Sequence, residues 1–221
     1  MMSKAIVIIP TYNEIENVPI VLDKLLNLSV RFDVLFVDDN SPDGTAELVK
    51  NYIKKNDTRV FLESKNKKEG LGKAYTHGFS WALSKNYDYI FEMDADLSHD
   101  PLDLVKMYKE LESSNCDVVV GSRYINGINV VNWPLSRIIL SYLASIYSRV
   151  ITGLPVRDAT SGFVGYRREV LNKMNLESIL FNGYAFQIEL KFKAYKNNFR
   201  ILEIPIIFRD RIYGESKMNG D

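Results

Sequence analysis

Tyr87-Asp-Tyr-Ile-Phe-Glu-Met-Asp-Ala-Asp-Leu-Ser-His-Asp-Pro101 reads as a buried strand that ends in acid and hands over to a helix. The run Tyr87 to Met93 has the aromatic and branched content of a strand, and Asp94 and Asp96 follow it. Alternate residues of an extended chain point to the same side. Two like charges in one small space raise a pKa, find a cation or stay apart in water. Oxygen-only ligands at a strand end suit a hard divalent ion such as Mg²⁺ or Mn²⁺, held by one or two carboxylates and completed by phosphate oxygens. Acid pairs also occur in plain loops. The next acids have an ordinary use, because Asp100-Pro101 with Asp103 supplies an N-cap, a proline at the first helical position and an acid in the first turn.

Working outward, short apolar runs alternate with helical patterns, which predicts a parallel sheet covered by helices. Ala5 to Ile9, Val34 to Val37, Arg59 to Leu62 and Tyr87 to Met93 read as the first four strands, with Val118 to Gly121 another. The helices between them span Glu16 to Leu28, Thr45 to Lys54, Leu71 to Leu83 and Leu102 to Leu111. Ligands of such sheets bind at the carboxyl ends of the strands. The polar clusters Pro10-Thr-Tyr-Asn-Glu14 and Asp38-Asp-Asn-Ser-Pro-Asp-Gly44 fall there. Tyr12, Glu14 and Asp39 have the chemistry to wall and hydrogen-bond a nucleoside. Turn chemistry is the plainer alternative, and for Ser41-Pro-Asp-Gly-Thr45 it is preferred, with Asp43 or Thr45 capping the next helix. Gly70-Leu-Gly-Lys73 is not a phosphate loop, since Lys67 stands where glycine is needed and Ala74 where a hydroxyl is needed. Its glycines suit close backbone approach at a helix start.

The totals narrow the classes. The chain has 221 residues, 46% hydrophobic and 25% charged, with 28 basic and 28 acidic side chains. That suits one globular domain without the global field that recruits nucleic acid. One cysteine, Cys116, and two histidines, His77 and His99, are too few for a disulfide or a Cys/His zinc site; Cys116 is expected to be buried in or just before its strand. Met1-Met-Ser-Lys4 leads straight into a strand, so a cytoplasmic location is expected. No apolar run reaches the roughly 20 residues of a membrane span.

Pro10-Thr-Tyr-Asn-Glu14, Val37-Asp-Asp-Asn-Ser-Pro-Asp-Gly44, Gly70-Leu-Gly72, Asp94-Ala-Asp-Leu-Ser98, Gly121-Ser-Arg-Tyr124, Ala159-Thr-Ser-Gly-Phe163 and Arg211-Ile-Tyr-Gly-Glu-Ser-Lys217 occur in the order found in family 2 glycosyltransferases. Within that family the chain resembles the dolichyl-phosphate (polyprenyl-phosphate) mannosyltransferase catalytic domain, over nearly its whole length. The resemblance implies an α/β GT-A fold, Rossmann-like, with a mainly parallel central sheet flanked by helices. It implies one domain over 1–221, with a nucleotide-binding part at about 1–122 and an acceptor-binding part at about 123–221. It also implies inverting, metal-dependent transfer of mannose from GDP-mannose to a polyprenyl phosphate.

By matching motif, Pro10, Tyr12, Glu14, Val37 and Asp39 contact the nucleoside, and Asp94 and Ala95 line the diphosphate sugar. Asp94, Asp96 and Ser98 form the Mg²⁺ or Mn²⁺ set, with Ser98 standing where some relatives have glutamine. Arg123, Arg211 and Lys217 surround the phosphates, Arg137 in Trp133-Pro-Leu-Ser-Arg137 receives the acceptor phosphate, and Gln187 and Glu189 lie near the sugar. Asp96, Arg123 and Arg137 carry the catalytic roles. A phosphate acceptor is already an anion near neutral pH, so no general base need be sought among Asp38, Asp94 and Asp158.

Leu135, Ile138, Ile139, Tyr142, Leu143, Ile146, Tyr147 and Val150 repeat at helical spacing, with Arg137, Ser141, Ser145 and Arg149 on other faces. Such a helix packs on a core or lies in a membrane interface. The implied lipid acceptor favours the interface, and so a peripheral contact on the cytoplasmic face of the membrane. Phe186 to Tyr195 forms a second amphipathic piece. Relatives generally continue beyond the position of Asp221, so either a shortened chain or a separate membrane subunit is expected. The competing readings are a related transferase using UDP-glucose or another acceptor, a nucleotidyltransferase, and a nucleotide-sugar-binding protein without turnover.

Overall fold

The structure is a computed structural model and describes residues 3–54, 58–181 and 183–211. Its first half winds as the alternation requires: β1 (Ala5–Thr11), α1 (Asn17–Leu26), β2 (Asp33–Asp38), α2 (Thr45–Lys54), β3 (Val60–Ser64), α3 (Leu71–Ser84), β4 (Tyr89–Glu92), α4 (Leu102–Glu112) and β5 (Val118–Ser122). The second half is less regular: β6 (Val130–Val131), α5 (Leu135–Thr152), β7 (Val164–Arg167), α6 (Arg168–Lys173), a 3₁₀ turn, α7 (Gly183–Lys196), β8 (Ile201–Pro205) and β9 (Phe208–Arg209).

Seven strands form one sheet in the order β3-β2-β1-β4-β7-β5-β8, and β6 and β9 pair apart from it. Neighbours are parallel except β7, which runs against both β4 and β5. The expected mainly parallel sheet is therefore present, and β7 is its one reversed strand. Gly165 allows β7 its place, because a Cβ there would lie 2.6 Å from the Phe91 ring. Apolar side chains leave both faces of the sheet. Val7, Ile9, Phe36 and Phe91 meet α1 and α4, while Ile6, Ile8, Val37 and Ile90 meet α3 and α7.

The fourth strand is shorter than its apolar run, because Met93 onwards turns out of the sheet toward Asp94. The turn reading at Asp43 holds; at the start of α4, the helix begins at Leu102, so Pro101 stands at the N-cap and not at the first helical position, one residue later than expected. Asp43 accepts the Thr45 N–H at 3.0 Å, and Asp100 accepts the Leu102 N–H at 3.0 Å. Cys116 is buried just before β5, and burial pushes its thiol up to about 11.

Helix α5 inverts the usual amphipathic arrangement. Its buried residues are Ser145 and Ser148, while Leu140 is 72% exposed and Val150 76%. Small polar residues face the body of the protein and the large apolar ones face outward, so the core-packing reading of this stripe is excluded.

Candidate active site

Because β2, β1 and β4 are adjacent and parallel, their carboxyl ends open side by side, with Thr11 opposite Asp38 and Ile8 opposite Glu92. The loops leaving them wall a cleft of about 200 Å³ that includes Pro10, Tyr12, Glu14, Asp39, Gly70, Asp94, Ala95, Asp96 and Arg211. A second cleft adjoins it, lined by Ser98, Arg123, Trp133, Arg137, Gly162 and Gln187. Leu71, Asp94, Asp96 and Arg211 line both. The acid pair thus stands at the junction of the two spaces.

The nucleoside-side residues are held from behind. Asp38 accepts from Thr11 Oγ1 at 3.0 Å and from the Ser41 N–H at 2.9 Å, which fixes the turn after β2. Asp39 accepts the N–H groups of Glu69 and Gly70, the latter at 2.8 Å, and pairs with Lys65 at 3.1 Å. Gly70, at φ +93°, supplies the left-handed backbone this tether needs ahead of α3. Asp39 therefore ties the 65–70 loop to the cleft as well as lining it. Tyr12 carries the Lys68 ammonium 4.0 Å over its ring. Val37 is fully buried in the core and does not line either cleft.

Asp96 Oδ1 accepts the Ser98 N–H at 3.1 Å, and Oδ2 pairs with Arg211 at 2.9 Å. The Asp94 carboxyl is pushed up to about 7, by burial first and then by the charges of Asp96 and Glu92, against the pull of Arg211 and Tyr75. Among the described residues, no group of three or more His, Cys, Asp or Glu side chains is placed to hold a metal ion. The oxygen donors there among the described residues are Asp94, Asp96 and the Ser98 hydroxyl, which is buried and has no hydrogen-bond partner among them. Surplus negative charge and an unsatisfied hydroxyl fit a hard divalent ion that keeps several sites for phosphate oxygens. His99, beside them, is pushed down to about 4 chiefly by burial and is neutral, stacked 4.6 Å from Phe163.

A carboxyl whose native pKa lies above its unfolded value of about 3.9 adds stability at low pH, and that contribution fades as pH rises through the native value. In chelator, Asp94 is therefore expected to contribute a fall in thermal stability between the ordinary Asp value of 3.8 and about 7. Asp94→Asn should remove its share of that slope; Glu92, also raised to about 7 by burial, adds to it, and His99, pushed down to about 4, opposes it. A melting series in which Asp94→Asn keeps the full slope would contradict the assignment.

Arg123 is 5% exposed and not a loose charge. Asp158 accepts its Nε at 2.7 Å, its Nη2 at 2.6 Å and its backbone N–H at 2.9 Å. Arg137 pairs with Asp210 at 3.1 Å, each about one-third exposed, and lies 4.0 Å over the Trp133 ring. Gln187 donates to the buried Glu92 at 2.5 Å, and Lys191 donates to the Ser161 carbonyl at 2.7 Å and the Gln187 carbonyl at 3.2 Å. This buried network joins α7 to the loop before β7 behind the second cleft. Glu189 stands apart, accepting from the Leu180 and Phe181 N–H groups and pairing with Lys193. Lys217 lies outside the described residues. Sequence reasoning passed over Trp133, Glu92, Lys191 and Asp210; the only signal was that Trp133 shares a segment with Arg137 and Glu92 precedes the acid pair.

Residues 6–174 match the model of "Glycosyl transferase family 2". The chain is 42% identical over 217 residues to polyprenol monophosphomannose synthase of Mycolicibacterium smegmatis, covering 98% of this chain and 82% of that protein. It is likewise 42% identical to undecaprenyl-phosphate mannosyltransferase of Micrococcus luteus, covering 98% and 88%. Among solved structures, glucosyl-3-phosphoglycerate synthase of Mycobacterium tuberculosis, crystallised with Mn²⁺, UDP and glucosyl-3-phosphoglycerate, superposes with a TM-score of 0.66 at 16% identity, covering 97% of this chain and 73% of that one. S. aureus TarS with UDP-GlcNAc gives a TM-score of 0.66 at 23% identity, covering 96% and 60%. These two are likenesses of fold. From the family match and the extent of sequence identity together, this chain belongs to glycosyl transferase family 2.

Proposed function

We propose that the protein transfers a mannosyl residue from GDP-mannose to a polyprenyl phosphate, with inversion at the sugar carbon. The observation that carries this reading is the shared wall: Asp94, Asp96 and Arg211 line both the nucleoside-side cleft and the cleft that admits Arg137. A donor in the first and an anionic acceptor in the second would meet at the acids. The relatives' names supply mannose and the prenyl phosphate, and Pro10, Tyr12, Glu14 and Asp39 supply the nucleoside wall. Residues 1–122 then serve mainly the donor and 123–221 mainly the acceptor, within one domain, with Arg211 reaching back to the donor cleft.

Arg137, held by Trp133 and only loosely occupied by Asp210, receives the acceptor phosphate. Arg123, fixed by Asp158, places a rigid positive charge at the same wall. Once the phosphate oxygen is aligned with the sugar carbon opposite the departing diphosphate, positioning does the work that a base does elsewhere. Arg211 leaves Asp96 for the diphosphate, where positive charge counts most in the transition state. A divalent ion bound by Asp94, Asp96 and Ser98 would add Lewis-acid stabilisation of the leaving diphosphate.

The outward apolar face of α5 suits a membrane interface, where a lipid acceptor is found. No helix among the described residues is long and apolar enough to cross a membrane. A peripheral contact of α5 with the cytoplasmic face of the membrane is part of this proposal, carried by its outward apolar side chains. Charging two exposed positions, Leu140→Glu with Val150→Glu, should weaken binding to anionic vesicles by about 10-fold or more, with transfer to a detergent-dispersed acceptor unchanged. Vesicle sedimentation measures this, and unchanged binding would contradict the assignment.

The reaction is tested with labelled GDP-mannose, Mn²⁺ and a short-chain polyprenyl phosphate, followed by organic extraction. Label in the lipid fraction is expected. Label that stays aqueous, or lipid labelling only from UDP-glucose, overturns the donor or the acceptor assignment.

A further inference from the structure

Trp133 sits just ahead of α5, is 9% exposed, and its indole Nε1 has no hydrogen-bond partner among the described residues. An indole N–H can only donate, and a buried donor without an acceptor is rare enough in folded proteins to need a cause. The ring lines the acceptor cleft with Arg137. One edge packs on Phe208 at 5.0 Å, the Arg137 guanidinium lies 4.0 Å from its centre and that of Arg123 lies 5.5 Å away.

The charges around the ring decide what the N–H is for. Arg123 is matched by the fully buried Asp158, whereas among the described residues Arg137 pairs with the part-exposed Asp210 alone. Pairs as exposed as the second are worth little and are readily exchanged. An anion that displaces Asp210 from Arg137 would arrive beside the indole and find a donor with nothing to donate to. A neutral hydroxyl would satisfy the N–H but leave Arg137 with Asp210, so the site suits an anionic oxygen.

We infer that Trp133 is a binding residue of the acceptor site: its Nε1–H donates to an oxygen of the acceptor phosphate, and its ring holds the Arg137 guanidinium for that same phosphate. This rests on the acceptor reading given under Proposed function. It explains why the segment Trp133-Pro-Leu-Ser-Arg137 carries an aromatic ring four residues before its arginine at the helix start.

Trp133→Phe keeps a ring for Arg137 and removes the N–H. With GDP-mannose and a short-chain prenyl phosphate, the KM for the prenyl phosphate should rise about 10-fold, as for loss of one hydrogen bond to a charged group. The KM for GDP-mannose and the thermal midpoint should stay unchanged. Trp133→Leu, which also removes the ring face, should lower kcat in addition, since Arg137 is then misplaced. An unchanged prenyl-phosphate KM in Trp133→Phe overturns the inference, as does an equal rise for both substrates with a lowered midpoint. If the parent protein transfers mannose to no prenyl phosphate at all, the acceptor reading fails and the inference with it; a transferring parent with an unaffected Trp133→Phe sinks the inference alone.

Discussion

Asp96→Asn should lower the rate of transfer by about 100-fold or more, the size of loss seen when one fixed stabiliser of transition-state charge is removed. The substitution keeps the side chain's shape, and an amide oxygen can still accept the Ser98 N–H that Asp96 Oδ1 now holds at 3.1 Å. What it removes is the negative charge that faces Arg211 at 2.9 Å and stands where both clefts meet. The fold should survive, so the thermal midpoint is expected to move little while turnover collapses. Steady-state rates at saturating donor and acceptor decide it, and near-normal turnover would remove the metal-binding role assigned to the acid pair.

The second large effect is on stability. Asp158→Asn strips the countercharge from a guanidinium that is 6% exposed and takes up Asp158 through Nε and Nη2 together. Leaving one member of a buried pair uncompensated costs about 3–5 kcal/mol. For a chain of this size each kcal/mol lowers the melting temperature by about 2–4 °C, so a drop of roughly 10 °C is expected. The exposed Lys50–Glu47 pair at 2.5 Å offers the contrast; breaking it should leave stability almost unchanged, since exposed pairs are screened by water and salt. Denaturant melts measure both. Equal, small losses in the two variants would show that Arg123 finds another partner or reaches water.

Much of this arrangement was legible in the sequence. The β1 to β5 alternation was readable because parallel strands buried on both faces are continuous apolar runs, and each of β1 to β4 is followed by a helix of plain 3.6-residue periodicity. The acid pair was readable for the same reason: Asp94 and Asp96 interrupt such a run at its carboxyl end. β7 and β8 were not. β7 is four residues with a glycine pressed against Phe91, and β8 runs from Ile201 to Pro205 with a glutamate inside it, so neither carries a strong apolar pattern. At the site, residue type told which groups bear charge but not which are already spent. Arg123 and Arg137 look alike in the sequence, yet one is locked to Asp158 from 35 positions away and the other is held by an indole and a weak ion pair. Helix α5 shows the limit of periodicity: it reveals an apolar stripe but not which way the stripe faces.

A crystal structure with GDP-mannose and Mn²⁺ is the decisive measurement. The diphosphate is expected between the acid pair and Arg211, the ion on Asp94 and Asp96, and the sugar carbon facing the cleft that holds Arg137. A nucleotide bound elsewhere, or one whose sugar turns away from Arg137, would contradict this arrangement.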